Sequence, residues 1–163
     1  MPESTIAKTN RDITVQVYDL ADANSYTFAF ERGDFKLAIP GPTIALFLDR
    51  GQFTDPPQIR KDQDQPMTGS ITADLRDVYD ASYTTAASLI VGSKPAGWTS
   101  RGGANADVDT WKVLITIEGT NHGDAADHTL LCDYCKFSGS LGDGMPCPVE
   151  LSFTSYKLYP TVT

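Results

Sequence analysis

The chain has 163 residues, with 21 Asp and Glu against 13 Lys and Arg and a net charge of −8. That length fits one ordinary domain, large enough to bury a core without a disulfide or a metal. The charge excludes a basic nucleic-acid reader, which needs clustered Lys and Arg, and disfavours docking on an anionic membrane. With 40% hydrophobic and 10% aromatic residues the composition is not that of a disordered chain. The acids are nearly all Asp, accompanied by 13 Gly and 10 Pro. Asp is a poor helix former and a good turn residue, so a strand-rich fold is expected.

In chain order, residues 1–11 are polar and read as an N-terminal arm, with a single β-rich domain over 12–163. Ile13, Val15 and Val17 alternate with polar residues, the period of a half-buried strand. Tyr26, Phe28 and Phe30, the turn Glu31-Arg32-Gly33-Asp34, and then Phe35, Leu37 and Ile39 read as a hairpin over 24–39. Ile44, Leu46 and Leu48 give another strand. Residues 49–66 read as a long polar connection, a kind usually functional or mobile. Alternation returns over 68–78 through Ile71, Ala73 and Leu75.

One helix is expected, capped by Asp80 or Ser82, running through Tyr83, Ala86, Ala87, Leu89 and Ile90 and stopped by Gly92. Residues 92–108 read as a loop. Trp111, Val113, Ile115 and Ile117 form a strand, and residues 127–137 another. A Gly-rich turn from Ser140 to Gly144 leads to a last strand with Val149, Leu151 and Phe153. The predicted class is mainly β: an antiparallel β-sandwich or split barrel with one flanking α-helix and long loops. Several strands carry a polar second face: Thr72, Asp74 and Arg76; Lys112, Thr116 and Glu118; Glu150, Ser152 and Thr154. Those faces meet water or a polar partner.

Chemistry-bearing motifs are sparse. Cys132-Asp133-Tyr134-Cys135 has metal-knuckle spacing, but its flanks read as one strand, in which residues three apart point to opposite faces. The simpler reading is small apolar residues in a sheet, with a cross-strand Cys135–Cys147 pair disfavoured by a reducing compartment. His122 and His128 read as solvated loop residues. No nucleophile elbow, zinc-protease motif or phosphate loop occurs. No catalytic residue, metal ligand or cofactor is assigned. Trp98, in a Gly-rich loop, is the candidate exposed aromatic, able to stack on a sugar. The start Met1-Pro2-Glu3-Ser4 lacks the charged and apolar regions of a signal peptide. No apolar run reaches membrane-span length, and a soluble protein is expected.

The stretch from Pro66-Met67-Thr68-Gly69-Ser70-Ile71-Thr72-Ala73-Asp74 to Val78, followed by Ser82-Tyr83-Thr84-Thr85 opening the helix, resembles the tail tube proteins of long-tailed bacteriophages. The closing segment Phe137-Ser138-Gly139-Ser140-Leu141-Gly142-Asp143-Gly144-Met145-Pro146, with the strand after it, is similar to that family's final hairpin. The resemblance implies a structural virion protein without enzymatic activity. It implies rings, hexameric in that family, that stack into a hollow tail tube assembled in the host cytoplasm, with DNA as a non-specific passenger. It also implies contacts with other tail proteins, with no membrane binding. The 49–66 segment then stacks the rings, through Asp49, Arg50, Gln52, Phe53 and Asp55 in its first half and Arg60, Lys61, Asp62 and Asp64 in its second. Thr72, Asp74 and Arg76 face the lumen or a neighbour. An acidic lumen would repel phosphates and let a duplex slide.

Three other readings stand beside this one. The first is a tail terminator, adaptor or tail-tip protein of the same fold. The second is a β-sandwich module that binds carbohydrate or a receptor through Trp98. The third is a metalloprotein or enzyme using His128, Cys132 and Cys135.

Overall fold

The computed structural model describes residues 13–28, 34–47, 58–74, 82–120, 123, 125–143 and 148–163. Its strands are β1 (Ile13–Tyr18), β2 (Ser25–Phe28), β3 (Asp34–Ala38), β4 (Ile44–Phe47), β5 (Gln58–Lys61), β6 (Met67–Asp74), β7 (Trp111–Ile117), β8 (His128–Leu141), β9 (Pro148–Ser155) and β10 (Thr161–Val162), with one helix, α1 (Ser82–Ile90). The fold is mainly β, as the alternation predicts. The main sheet runs β2-β1-β7-β8-β9-β6-β3, with β10 added beside β8. Every pairing is antiparallel. The sheet is open, with β2 at one margin and β3 at the other.

That order corrects the hairpin expected over residues 24–39. β2 pairs with β1, Val15 opposite Phe28, while β3 pairs with β6, Phe35 opposite Ile71. Two strands adjacent in sequence therefore lie at opposite margins of the sheet. The turn that favours β1–β2 is built by Asp19. Its Oδ1 accepts from the amides of Ala23 (3.0 Å) and Asn24 (3.3 Å), and its Oδ2 from Asn24 Nδ2 at 2.8 Å. A side chain that supplies a turn's missing acceptors fixes the chain reversal locally.

β8 organises the rest. Its first half pairs with β7, and its second half pairs with β9 on the opposite edge. The register shifts at the junction: Val113 faces Cys132, but Trp111 faces Cys135. One extra residue on β8 makes a bulge, and Tyr134 there adopts φ 54°. The extra residue reverses the in–out alternation. Cys132 and Cys135 therefore both enter the core at 0% exposure, where a regular strand would place them on opposite faces.

Both halves of the sheet contribute to one core. Val15, Val17, Phe28, Val113 and Ile115 come from the first half; Met67, Ile71, Phe137, Leu151 and Phe153 come from the second. Leu89 and Ile90 of α1 are buried in it. The helix ends as the sequence indicates: Gly92 has φ 70°, its amide bonds Leu89 O, and Ser93 N bonds Ser88 O at 2.8 Å. This paired closure satisfies the last free carbonyls. The cap expected at Asp80 lies outside the described residues, as do the side-chain bonds of Ser82.

Trp98 is the second correction. It is buried at 5% exposure and meets Trp111 edge to face, centroids 5.4 Å apart. The loop over 92–108 folds inward and covers the core with this ring.

The third correction concerns residues 49–66. The segment is not a plain connection, because Gln58–Lys61 forms β5 and pairs with β4, Leu46 opposite Ile59. The β4–β5 hairpin is a separate two-stranded sheet leaving the main sheet between β3 and β6.

Candidate functional site

The second half of the sheet, β8-β9-β6-β3, has one buried and one bare face. On the buried face Phe153 lies across Gly69 and beside Phe137. A Cβ on Gly69 would sit 2.2 Å from Phe153 Cζ, so the ring occupies the space of the missing side chain. Gly139 serves a similar purpose under α1: its Cβ would be 3.0 Å from Ile90 O. Small residues here let an aromatic ring and a helix approach the sheet backbone.

The other face is built of hydroxyls in register. Thr68 and Thr154 share one row with Lys136. Ser70, Ser152 and Ser138 share the next, with Lys36 on β3. Thr72, Glu150 and Ser140 form the third. The serines bond to one another, Ser138 Oγ to Ser152 Oγ at 2.9 Å, and Ser152 Oγ donates to Ser138 O at 3.1 Å. This face holds an open concavity of about 450 Å³ lined by Ser70, Thr72, Ser138, Ser140, Glu150 and Ser152. Strand alternation puts these residues on one side, and strand pairing aligns them into rows. Such a surface is hydrated and polar, with Lys36, Lys136 and Glu150 set among the hydroxyls. It offers hydrogen bonds without an apolar anchor.

Thr72 lies on this face, exposed. Asp74 ends β6 opposite Pro148, and Arg76 lies outside the described residues. Asp49, Arg50, Gln52, Phe53 and Asp55 also lie outside them. Arg60 and Lys61 are in β5; Asp62 and Asp64 follow it, exposed, and Lys61 is ion-paired with Asp64. The sequence reading named the polar faces of β6 and β9. It missed the hydroxyls of β8, Ser138 and Ser140, although their spacing of two was visible.

The first half of the sheet is braced instead. Arg101 reaches from the 92–108 loop to the bulge and grips Asp133 with two parallel bonds of 2.7 and 2.9 Å, while its third nitrogen donates to Leu20 O. The paired side chains are 18% and 13% exposed. Burial works against the charged form of Asp133, yet the Arg101 bonds and charge outweigh it and hold the carboxyl below its ordinary value of 3.8. Lys112 pairs with Asp22 at 2.6 Å and lies 5.2 Å over the Tyr18 ring.

Cys132 and Cys135 offer no reactive site. Burial pushes the Cys132 thiol up to about 11 and raises Cys135 further. Both are free thiols, and the register sets Cys135 opposite Ser155. Thiols so raised are protonated and inert near neutrality. His128 is exposed at the start of β8, while His122 and Cys147 lie outside the described residues. Among the described residues no three His, Cys, Asp or Glu side chains cluster as a metal site.

Comparison with family models and with curated protein sequences gives no match. Among solved structures, the chain is similar to one in the anti-feeding prophage baseplate, a cryo-EM structure symmetrised sixfold. The TM-score is 0.62 at 10% identity, over 99% of this chain and 97% of that chain. The likeness is therefore of the whole fold.

Proposed function

We propose that the protein is a structural, non-enzymatic subunit of a phage tail or tail-like particle, and that it assembles into rings whose hydroxyl-bearing sheet faces line a channel. The observation that carries this reading is the half-sheet β8-β9-β6-β3, in a fold shared along its full length with a prophage baseplate chain. One of its faces is core and the other is polar. Among the described residues the outer edge of β3 has no strand beside it, and β7 leaves β8 at Cys135. Unpaired edges invite another chain.

Strand direction supports ring closure. Because successive strands alternate, β3 of one copy and the open edge of β8 in the next run antiparallel. Four strands per copy is an even number, so a ring can close as one antiparallel barrel. Six copies, the symmetry of the baseplate structure, would give about 24 strands and, at ~4.8 Å per strand, a backbone circle roughly 37 Å across before tilt widens it. Barrels of that size leave an aqueous channel.

The lining refines the expected acidity. Of the side chains described on this face, Lys36, Lys136 and Glu150 carry charge amid hydroxyls. A hydrated wall of mixed charge, Lys36 and Lys136 against Glu150 and the Asp74 that ends β6, gives a polymer cargo, DNA included, no uniformly basic track to hold it. The β4–β5 hairpin and its Arg60, Lys61, Asp62 and Asp64 then serve contacts between rings, and Thr72 and Asp74 belong to the lumen wall.

Negative-stain electron microscopy of the purified protein tests the proposal. Hollow rings or tubes are expected; a monodisperse monomer at high concentration would sink it. The carbohydrate-module alternative loses its stacking platform, since Trp98 is buried against Trp111.

A further inference from the structure

β10 is a strand that adds almost nothing to the core. It lies against the first half of β8, on the edge opposite β7, with Thr161 facing Leu131 and Val162 facing Leu130. Both of its residues are exposed, Val162 at 67%. What it gives β8 is backbone hydrogen bonds. The Thr129 amide donates to Thr163 O at 2.8 Å, and the Thr163 amide returns a bond to Thr129 O at 3.1 Å. Antiparallel pairs alternate, so Leu131 and Thr161 make the next such exchange, while Val162 turns its N–H and C=O outward. Among the described residues no strand lies beyond β10.

The route to β10 is held at both ends. β9 stops at Ser155 opposite Cys135, and β10 resumes the same line along β8, with residues 156–160 standing opposite residues 132–134. The Tyr156 amide donates to Tyr134 O at 3.2 Å and the Lys157 amide to Ser155 Oγ at 3.3 Å, while Lys157 Nζ donates to Thr161 Oγ1 at 3.0 Å. The edge covered in this way, Thr129-Leu130-Leu131-Cys132, is uncharged and mostly apolar. An edge of that kind adds a foreign strand when it is left bare. The strand that covers it is itself a poor template. It is two residues long, Pro160 before it has no N–H to offer, and Lys157 stands exposed beside it.

We propose that residues 156–163 act as a guard strand, which closes one edge of β8 to other chains and so confines strand addition to β3 and to the opposite edge of β8 along its second half. The proposal rests on the ring reading for which edges stay open, and it names the device that keeps assembly to those edges. Hydrogen bonding, not burial, is what the guard supplies. It satisfies the backbone of Thr129 and Leu131 and leaves Val162 as its one outward pair. This accounts for a chain that returns to the sheet without burying an apolar side chain there.

The test uses proline, which removes an amide donor. Thr161→Pro/Thr163→Pro strikes the inward amides and releases the strand; Val162→Pro strikes only the outward one and is the control. All are compared with wild type under reducing conditions, with thermal unfolding to confirm folding. In the double variant, hydrogen exchange at the Thr129 amide is expected to rise about tenfold or more. Electron microscopy is expected to show irregular sheet-like aggregates in that variant, absent from wild type and from Val162→Pro. A synthetic peptide of residues 156–163, added in excess, is expected to suppress them, which a folding defect would not allow. Unchanged exchange at Thr129, an exposed edge without aggregates, equal aggregation of Val162→Pro, or aggregates that the peptide leaves untouched would each overturn the guard and leave the ring reading standing. A wild-type chain that forms neither rings nor tubes would overturn the ring reading, while the aggregates of the double variant and their suppression still decide the guard.

Discussion

The two halves of the sheet share a core and one long strand, yet they are finished differently. The half β2-β1-β7 is bound by side chains: the Asp19 turn, Arg101 on Asp133, Lys112 on Asp22 and Trp98 sealed against Trp111. The half β8-β9-β6-β3 has a bare polar face and exposed tyrosines, Tyr134, Tyr156 and Tyr159, while each half ends on an open margin, β2 or β3. Bracing marks where the chain secures its own fold. Unsatisfied edges and exposed aromatics mark where another chain is expected. The contrast separates stability from assembly, and substitutions in the two halves should separate them too.

The largest stability effect is expected in the braced half. Trp111→Ala removes a fully buried ring and its partner for Trp98 and should cost ~3–5 kcal/mol, read by denaturant unfolding. Arg101→Met comes next. It leaves Asp133 without its two charge-assisted bonds, an expected loss of ~1.5–3 kcal/mol. The same pair gives a pH signature. Asp133 is depressed in the folded state, so its contribution is fully present above pH ~4 and is lost as pH falls through the lower native value. The drop in melting temperature of wild type below pH ~4 should be smaller in Arg101→Met.

Gly69→Ala tests the core of the second half. The new methyl meets the Phe153 ring, and overpacking of ~1–3 kcal/mol is expected. The smallest effect belongs to the bare face: Ser70→Ala should change monomer stability by no more than ~0.5 kcal/mol. A large loss there would mean that this face is structural, and the contrast would fail.

The alternation of Val15 with Val17, of Val113 with Ile115, and of Leu151 with Phe153 was legible because burial on a sheet has a period of two. The helix was legible through its apolar spacing and Gly92. Of the candidate site, the polar residues of β6 and β9 were legible for the same reason. Their union with Ser138 and Ser140 was not, because alternation assigns a face without naming the neighbouring strand.

By itself, then, the sequence determined the class of fold, the in–out sense of the regular strands and the end of the helix. The tertiary structure decided three things. β2 joined β1, and β3 joined β6, because pairing depends on distant partners as well as on the nearest turn. Trp98 turned inward because Trp111 offered it a ring edge. A single extra residue at Tyr134 reversed the alternation of β8 and carried Cys135 into the core. Local pattern sets which side of a strand is apolar; only packing settles what that side meets.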